Sequence, residues 1–168
     1  MRASRGGFHG PEILFILMRR ATSIVGSGNL PGDNVLGTVT LSFEDRFRRR
    51  KKMTDDSGTD FLLDLADAVQ LEEGDALLLE DGSVIEVKAA EEEVLDIYCN
   101  NKAQIARIAW HIGNRHTPVQ VLKDGNLRII YDHVLREMVE GLGARTENKY
   151  APFSPEQGAY AGVHSHDH

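Results

Sequence analysis

The chain has 168 residues, of which 41% are hydrophobic and 27% charged, with 16 glycines and 5 prolines; that length holds one domain or two small ones and excludes a large multidomain enzyme. With 26 acidic against 19 basic residues the formal charge is −7, which argues against a broad nucleic-acid-binding surface and leaves room only for a local basic patch. The single cysteine, Cys99, excludes an intrachain disulfide and a cysteine-rich zinc site and suits a reducing, cytoplasmic setting.

At the N-terminus Arg2 and Arg5 precede an apolar run over 13–17. Five residues are too few for a membrane span, and no small-residue cleavage site follows to complete a signal peptide. Residues 1–17 are expected to be an extension ahead of a folded domain that starts at Met18. Short, often alternating runs at 22–25, 37–43, 61–65, 76–79 and 83–88 predict strands. Glu80-Asp81-Gly82-Ser83 is a turn sequence that joins the last two as a hairpin. Between the second and third runs, Arg46, Arg48, Arg49, Arg50, Lys51 and Lys52 form a basic burst, which reads as a solvated loop or, less readily, as a contact for an acidic partner.

The pattern changes after Glu91-Glu92-Glu93. Residues 94–99 are β-like, with Cys99 packing as a small hydrophobe. Ile105, Ile108, Ala109 and Ile112 then recur at i, i+3, i+4 and i+7, predicting a helix with one apolar stripe that Gly113 stops in a left-handed conformation. Runs at 118–122 and 127–131 flank Lys123-Asp124-Gly125-Asn126 as a second hairpin. Asp132 is placed to cap a second helix, in which Val134, Leu135, Met138, Val139 and Leu142 form the stripe and Gly141 and Gly143 the stop. A last extended segment spans 145–150. The second half therefore reads βαββαβ, a ferredoxin-like order, behind an all-β first half: an α+β protein of two small domains, 18–91 and 92–152. Residues 153–168 carry no amphipathic signal and are expected to form a flexible tail.

Chemistry concentrates in the histidines. His164, His166 and His168 fall at i, i+2 and i+4, a spacing open to one metal ion or to a merely polar end. His116 lies just past the predicted helix stop and His133 follows Asp132. Each taken singly reads first as a structural histidine and second as a ligand. Familiar zinc spacings are absent, so one chain lacks a closed preformed site, whereas two copies of His116 at a two-fold axis would supply one.

The blocks His111-Ile112-Gly113-Asn114-Arg115-His116-Thr117-Pro118-Val119-Gln120, Tyr131-Asp132-His133-Val134-Leu135, Pro152-Phe153, Pro155-Glu156 and Gly158-Ala159-Tyr160, followed by a histidine-containing end, occur in this order. Over residues 18–168 the chain so resembles the UreE family of urease accessory proteins, which are nickel metallochaperones. The resemblance implies a non-enzymatic homodimer, joined through its ferredoxin-like domains, that holds nickel between subunits and passes it to apo-urease in the activation complex. His116 matches the interface nickel ligand. His133 and Asp132 match a secondary metal-binding region, His164, His166 and His168 the variable tail, and His111 a supporting position. Tyr131 stands where some members carry another histidine. The implied partner is the urease accessory GTPase UreG, and zinc and copper are competing ions. The chain has no Gly-x-x-x-x-Gly-Lys-Ser/Thr loop, so GTP dependence belongs to the partner. Two other readings compete. One is a zinc-dependent hydrolase, for which Glu137 and Glu140 offer a base. The other is a peptide-binding module in which metal is incidental, consistent with the protein or peptide contacts associated with the family's N-terminal domain.

Overall fold

The computed structural model describes residues 18–27 and 34–158. Contacts divide the chain between Lys88 and Ala89 into two units. In the first, β1 (Arg19–Val25), β2 (Val35–Leu41), β3 (Phe47–Thr54), β4 (Asp60–Gln70), β5 (Ala76–Leu79) and β6 (Val84–Ala89) form a six-stranded sheet ordered β2-β6-β5-β1-β4-β3. Alternation along the strands turns Phe61, Leu63 and Leu65 of β4 and Leu77, Leu79, Ile85 and Val87 of β5 and β6 into one apolar core. The sheet curls because the turn after β3 reaches β2: Asp56 N–H donates to the Thr38 carbonyl (2.8 Å), and Thr40 N–H donates to the Asp56 carboxylate (3.0 Å). The predicted 80–83 turn forms, with Gly82 at φ +85°.

The basic burst is not a loop. Arg46 is buried in a 3-10 turn (Glu44–Arg46), and the residues from Phe47 onward are the edge strand β3. Its charges are largely matched within the unit: Arg48 and Lys51 pair with Asp45 (2.7 and 2.8 Å), Lys52 with Asp60 (2.8 Å) and Arg50 with Asp64 (3.6 Å). Met53 is the single fully buried side chain on the strand. Charged side chains on an edge discourage pairing with another chain, and they also erase the apolar alternation by which a strand is recognised.

The second unit has the expected βαββαβ order: β7 (Glu91–Tyr98), α1 (Lys102–Asn114), β8 (Gln120–Val121), β9 (Leu127–Ile130), α2 (His133–Gly141) and β10 (Arg145–Pro152). The antiparallel sheet is ordered β10-β7-β9-β8. Leu95, Ile97, Leu127 and Ile129 on one sheet face pack with Ile108 and Ile112 of α1 and Leu135 and Val139 of α2, and Cys99 joins this cluster half-buried. Both helices start on a side-chain cap. Asn101 accepts from the Gln104 N–H and Asp132 from the Leu135 N–H, each at 2.9 Å.

On the opposite sheet face Asp96, with a side chain only 2% exposed, accepts from Arg128 Nε and Nη2 (2.6 and 2.9 Å) and from Lys149 Nζ (2.9 Å). Burial pushes its carboxyl up, but the bonds to Arg128 and Lys149 outweigh that and hold it below the usual carboxylate range. Residues 153–158, expected to belong to the mobile end, are instead held. Phe153 is fully buried, Ser154 N–H donates to Gln120 Oε1 (3.1 Å) and Glu156 N–H donates to the Val119 carbonyl (2.8 Å). Among the described residues no helix is long and apolar enough to cross a membrane.

Candidate metal-binding site

Helix α1 ends on a pair of backbone bonds. His116 N–H donates to the Gly113 carbonyl (2.9 Å) and Thr117 N–H to the Ile112 carbonyl (3.4 Å). This is the Schellman arrangement, in which the residue after the cap turns left-handed to satisfy the last carbonyls. The left-handed residue here is His116, at φ +56°, the one non-glycine with positive φ among the described residues. Gly113, expected to make the stop, lies within the helix, because glycine is tolerated in a last turn and the bonds close three residues later.

Helix α2 ends in the same way. Gly143 N–H donates to the Glu140 carbonyl (2.9 Å) and Ala144 N–H to the Val139 carbonyl (3.1 Å), with Gly143 at φ +91°. The same backbone motif is therefore built once with glycine and once with histidine. A side chain in the left-handed region costs about 1–2 kcal/mol relative to the right-handed one, and glycine avoids the cost. Position 116 accepts it, and what it gains is an exposed imidazole on a fixed backbone.

The face of α1 leading to His116 is unlike the buried one. Ala103, Ala106, Trp110 and Gly113 are exposed at i, i+3, i+7 and i+10, and Trp110 is 63% exposed. The Trp110 indole meets the His111 ring edge-on, with centroids 4.9 Å apart, so half-buried His111 is in contact with the aromatic on this face. The apolar stripe of Ile105, Ile108, Ala109 and Ile112 already places Trp110 off the core side, a signal the sequence carried.

His133 and Asp132 sit at the start of α2, both exposed, with one Asp132 oxygen committed to the helix cap. Ile130 pairs with Val94 and the Tyr131 N–H donates to the Glu93 carbonyl, so α2 begins at the end of the sheet where β7 starts. Helix α1, leaving the far end of β7, terminates toward that same end. Yet among the described residues no three His, Cys, Asp or Glu side chains gather around a point that would hold an ion. His116 and the Asp132-His133 pair therefore do not make a site within one chain of the described structure. His164, His166 and His168 lie outside the described residues.

Residues 21–90 match the N-terminal domain model of the UreE urease accessory protein and residues 92–168 its C-terminal domain model. A urease accessory protein UreE of Rhodopseudomonas palustris is 51% identical over 153 residues, covering 90% of this chain and 72% of the relative. Counterparts from Bradyrhizobium sp. and Azorhizobium caulinodans are 49% and 45% identical, each over 151 residues covering 90% of this chain and 70% and 72% of the relative, respectively. By both domain models and by these relatives, the chain belongs to the UreE family of urease accessory proteins.

Proposed function

We propose that the chain is a nickel metallochaperone that binds Ni(II) between two copies of itself and delivers it to apo-urease during urease maturation. The observation that carries this reading is His116, an exposed imidazole kept at a left-handed position where α2 uses glycine. A backbone conformation that costs energy and has a glycine solution in the same domain points to a demand for the side chain.

The exposed α1 face supplies the second copy's docking surface. Small residues at Ala103, Ala106 and Gly113 allow close helix approach, and a water-exposed tryptophan is a typical interface anchor. A two-fold axis near this face would double His116. Neutral imidazole suits Ni(II), and zinc or copper would compete for the same donors. A site divided between subunits opens without unfolding either core, as a carrier requires. His164, His166 and His168 add donors that raise capacity, while His133 and Asp132 form a weaker peripheral locus. Nickel is cargo here, so no catalytic residue is assigned and the protein is not an enzyme. It works in the cytoplasm with the accessory GTPase UreG and apo-urease as partners, and involves neither nucleic acid nor membrane.

Calorimetric nickel titration of His116→Ala tests the assignment, with thermal melting as the folding control. Loss of the tight binding event in a well-folded dimer is expected. Wild-type affinity in that variant would overturn the assignment, and metal-dependent hydrolysis by the wild type would favour an enzyme instead.

A further inference from the structure

The His116 loop runs only from the end of α1 to β8, and it is pinned at both ends. The upstream pin is the Schellman pair at Gly113 and Ile112. Between the pins, Thr117 precedes Pro118 and is thereby restricted to extended conformations, while the proline ring fixes its own φ. The downstream end is weaker than it looks. Strand β8 contributes just two residues, Gln120 and Val121, to its pairing with Arg128 and Leu127 of β9, and so short an edge strand is marginal without further support.

That support comes from Glu156. Its backbone N–H donates to the Val119 carbonyl (2.8 Å), and its carboxylate Oε1 accepts the Val121 N–H (3.2 Å). One residue thus grips the outer edge of β8 on either side of Gln120, using a side-chain oxygen where a further strand would offer a carbonyl. Buried Phe153 and the Ser154–Gln120 bond anchor the segment that brings Glu156 there.

We propose that Glu156 is a positioning residue for His116: by clasping Val119 and Val121 it fixes the downstream end of the loop, so that the imidazole is in place before nickel arrives. The inference rests on His116 being the nickel ligand, and it adds the residue that orders that ligand's loop. A ligand on a loop that must first be ordered binds more weakly, because ordering is then subtracted from affinity. Glu156 acts through backbone groups of the loop, and the donor to metal remains His116.

The test compares Glu156→Ala with Glu156→Gln, which retains an acceptor oxygen without the carboxylate charge. Both are made in the full chain and in the full chain with His164, His166 and His168 each changed to Ala. Glu156→Ala is expected to weaken nickel binding by about three- to tenfold in both backgrounds, the size of one lost hydrogen bond. Glu156→Gln should restore affinity to within about twofold of the unsubstituted protein. Without metal, amide hydrogen exchange at Val121 should be slow in the wild type and the Gln variant and faster in the Ala variant.

A Gln variant as weak as the Ala variant would overturn the proposal, since the carboxylate would then act as charge or ligand. An Ala effect confined to the background with tail histidines would overturn it in favour of tail placement, and unchanged affinity or unchanged exchange in the Ala variant would overturn it outright. If His116→Ala leaves nickel binding intact, the metal assignment fails separately, and the Val121 exchange still decides whether Glu156 holds the loop.

Discussion

His116→Gly removes the imidazole and the backbone strain together, so it separates what position 116 does for the fold from what it does for metal. At φ +56° a side chain costs about 1–2 kcal/mol. Glycine relieves that cost but loses about 0.5–1 kcal/mol through its greater freedom in the unfolded chain. The net is a gain of between zero and about 1.5 kcal/mol, each kcal/mol being worth about 4–8 °C in the melting temperature of a domain this small. His116→Ala keeps the strain and should leave stability within about 0.5 kcal/mol of wild type. Gly143 is the internal control: it holds the equivalent place after α2 at φ +91°, and an added Cβ would meet Gln104 Nε2 at 3.0 Å. Gly143→Ala should therefore cost at least about 1 kcal/mol. The assay is urea and thermal unfolding of the metal-free proteins, followed by nickel titration. Glycine at 116 should stabilise or be neutral while nickel binding falls. Destabilisation by about 1 kcal/mol or more would show instead that the imidazole holds the fold.

Trp110→Glu puts a charge on the exposed α1 face and should be monomeric in sedimentation where the wild type is expected to be dimeric, with an unchanged far-UV spectrum; a dimeric variant would place the interface elsewhere. Asp96→Asn leaves Arg128 and Lys149 without their buried counter-charge and should cost about 3 kcal/mol in denaturant unfolding. Because the folded Asp96 carboxyl titrates below its ordinary 3.8, its stabilisation is present above that value and lost as pH falls through the lower folded one. The wild type should therefore show a stability loss below about pH 4 that Asp96→Asn lacks, and parallel pH profiles for the two would remove Asp96 from the acid response. Nickel affinity should fall between about pH 8 and pH 5 as imidazoles protonate, and a flat profile would contradict histidine ligation.

The second unit was legible because its signals are local and periodic. The stripe of Ile105, Ile108, Ala109 and Ile112 and the stripe through Leu135 and Val139 each define a helix face, and the turn at Gly125 separates the two short strands. Strand β3 was not legible: its basic residues are matched by Asp45, Asp60 and Asp64, two of them distant in sequence, and only Met53 marks the core side. The left-handed stop lies three residues past Gly113, because the chain puts His116 rather than a glycine in that conformation. The hold on residues 153–158 could not be read locally either. It depends on a buried Phe153 and on bonds to β8 more than 30 positions away. His116 as a candidate was visible in its motif, and the stripe through Ile105, Ile108 and Ile112 placed Trp110 off the core side, but the strained backbone at His116 belongs to the folded structure.

Native mass measurement during nickel titration distinguishes a His116 site shared between two chains from a site on each chain. The wild type should take up its first, tightest nickel at one ion per two chains while remaining dimeric, and His116→Ala should remain dimeric without that ion. A tight ion bound to each isolated chain, or an unchanged first ion in the His116→Ala dimer, would place nickel elsewhere than at a shared His116.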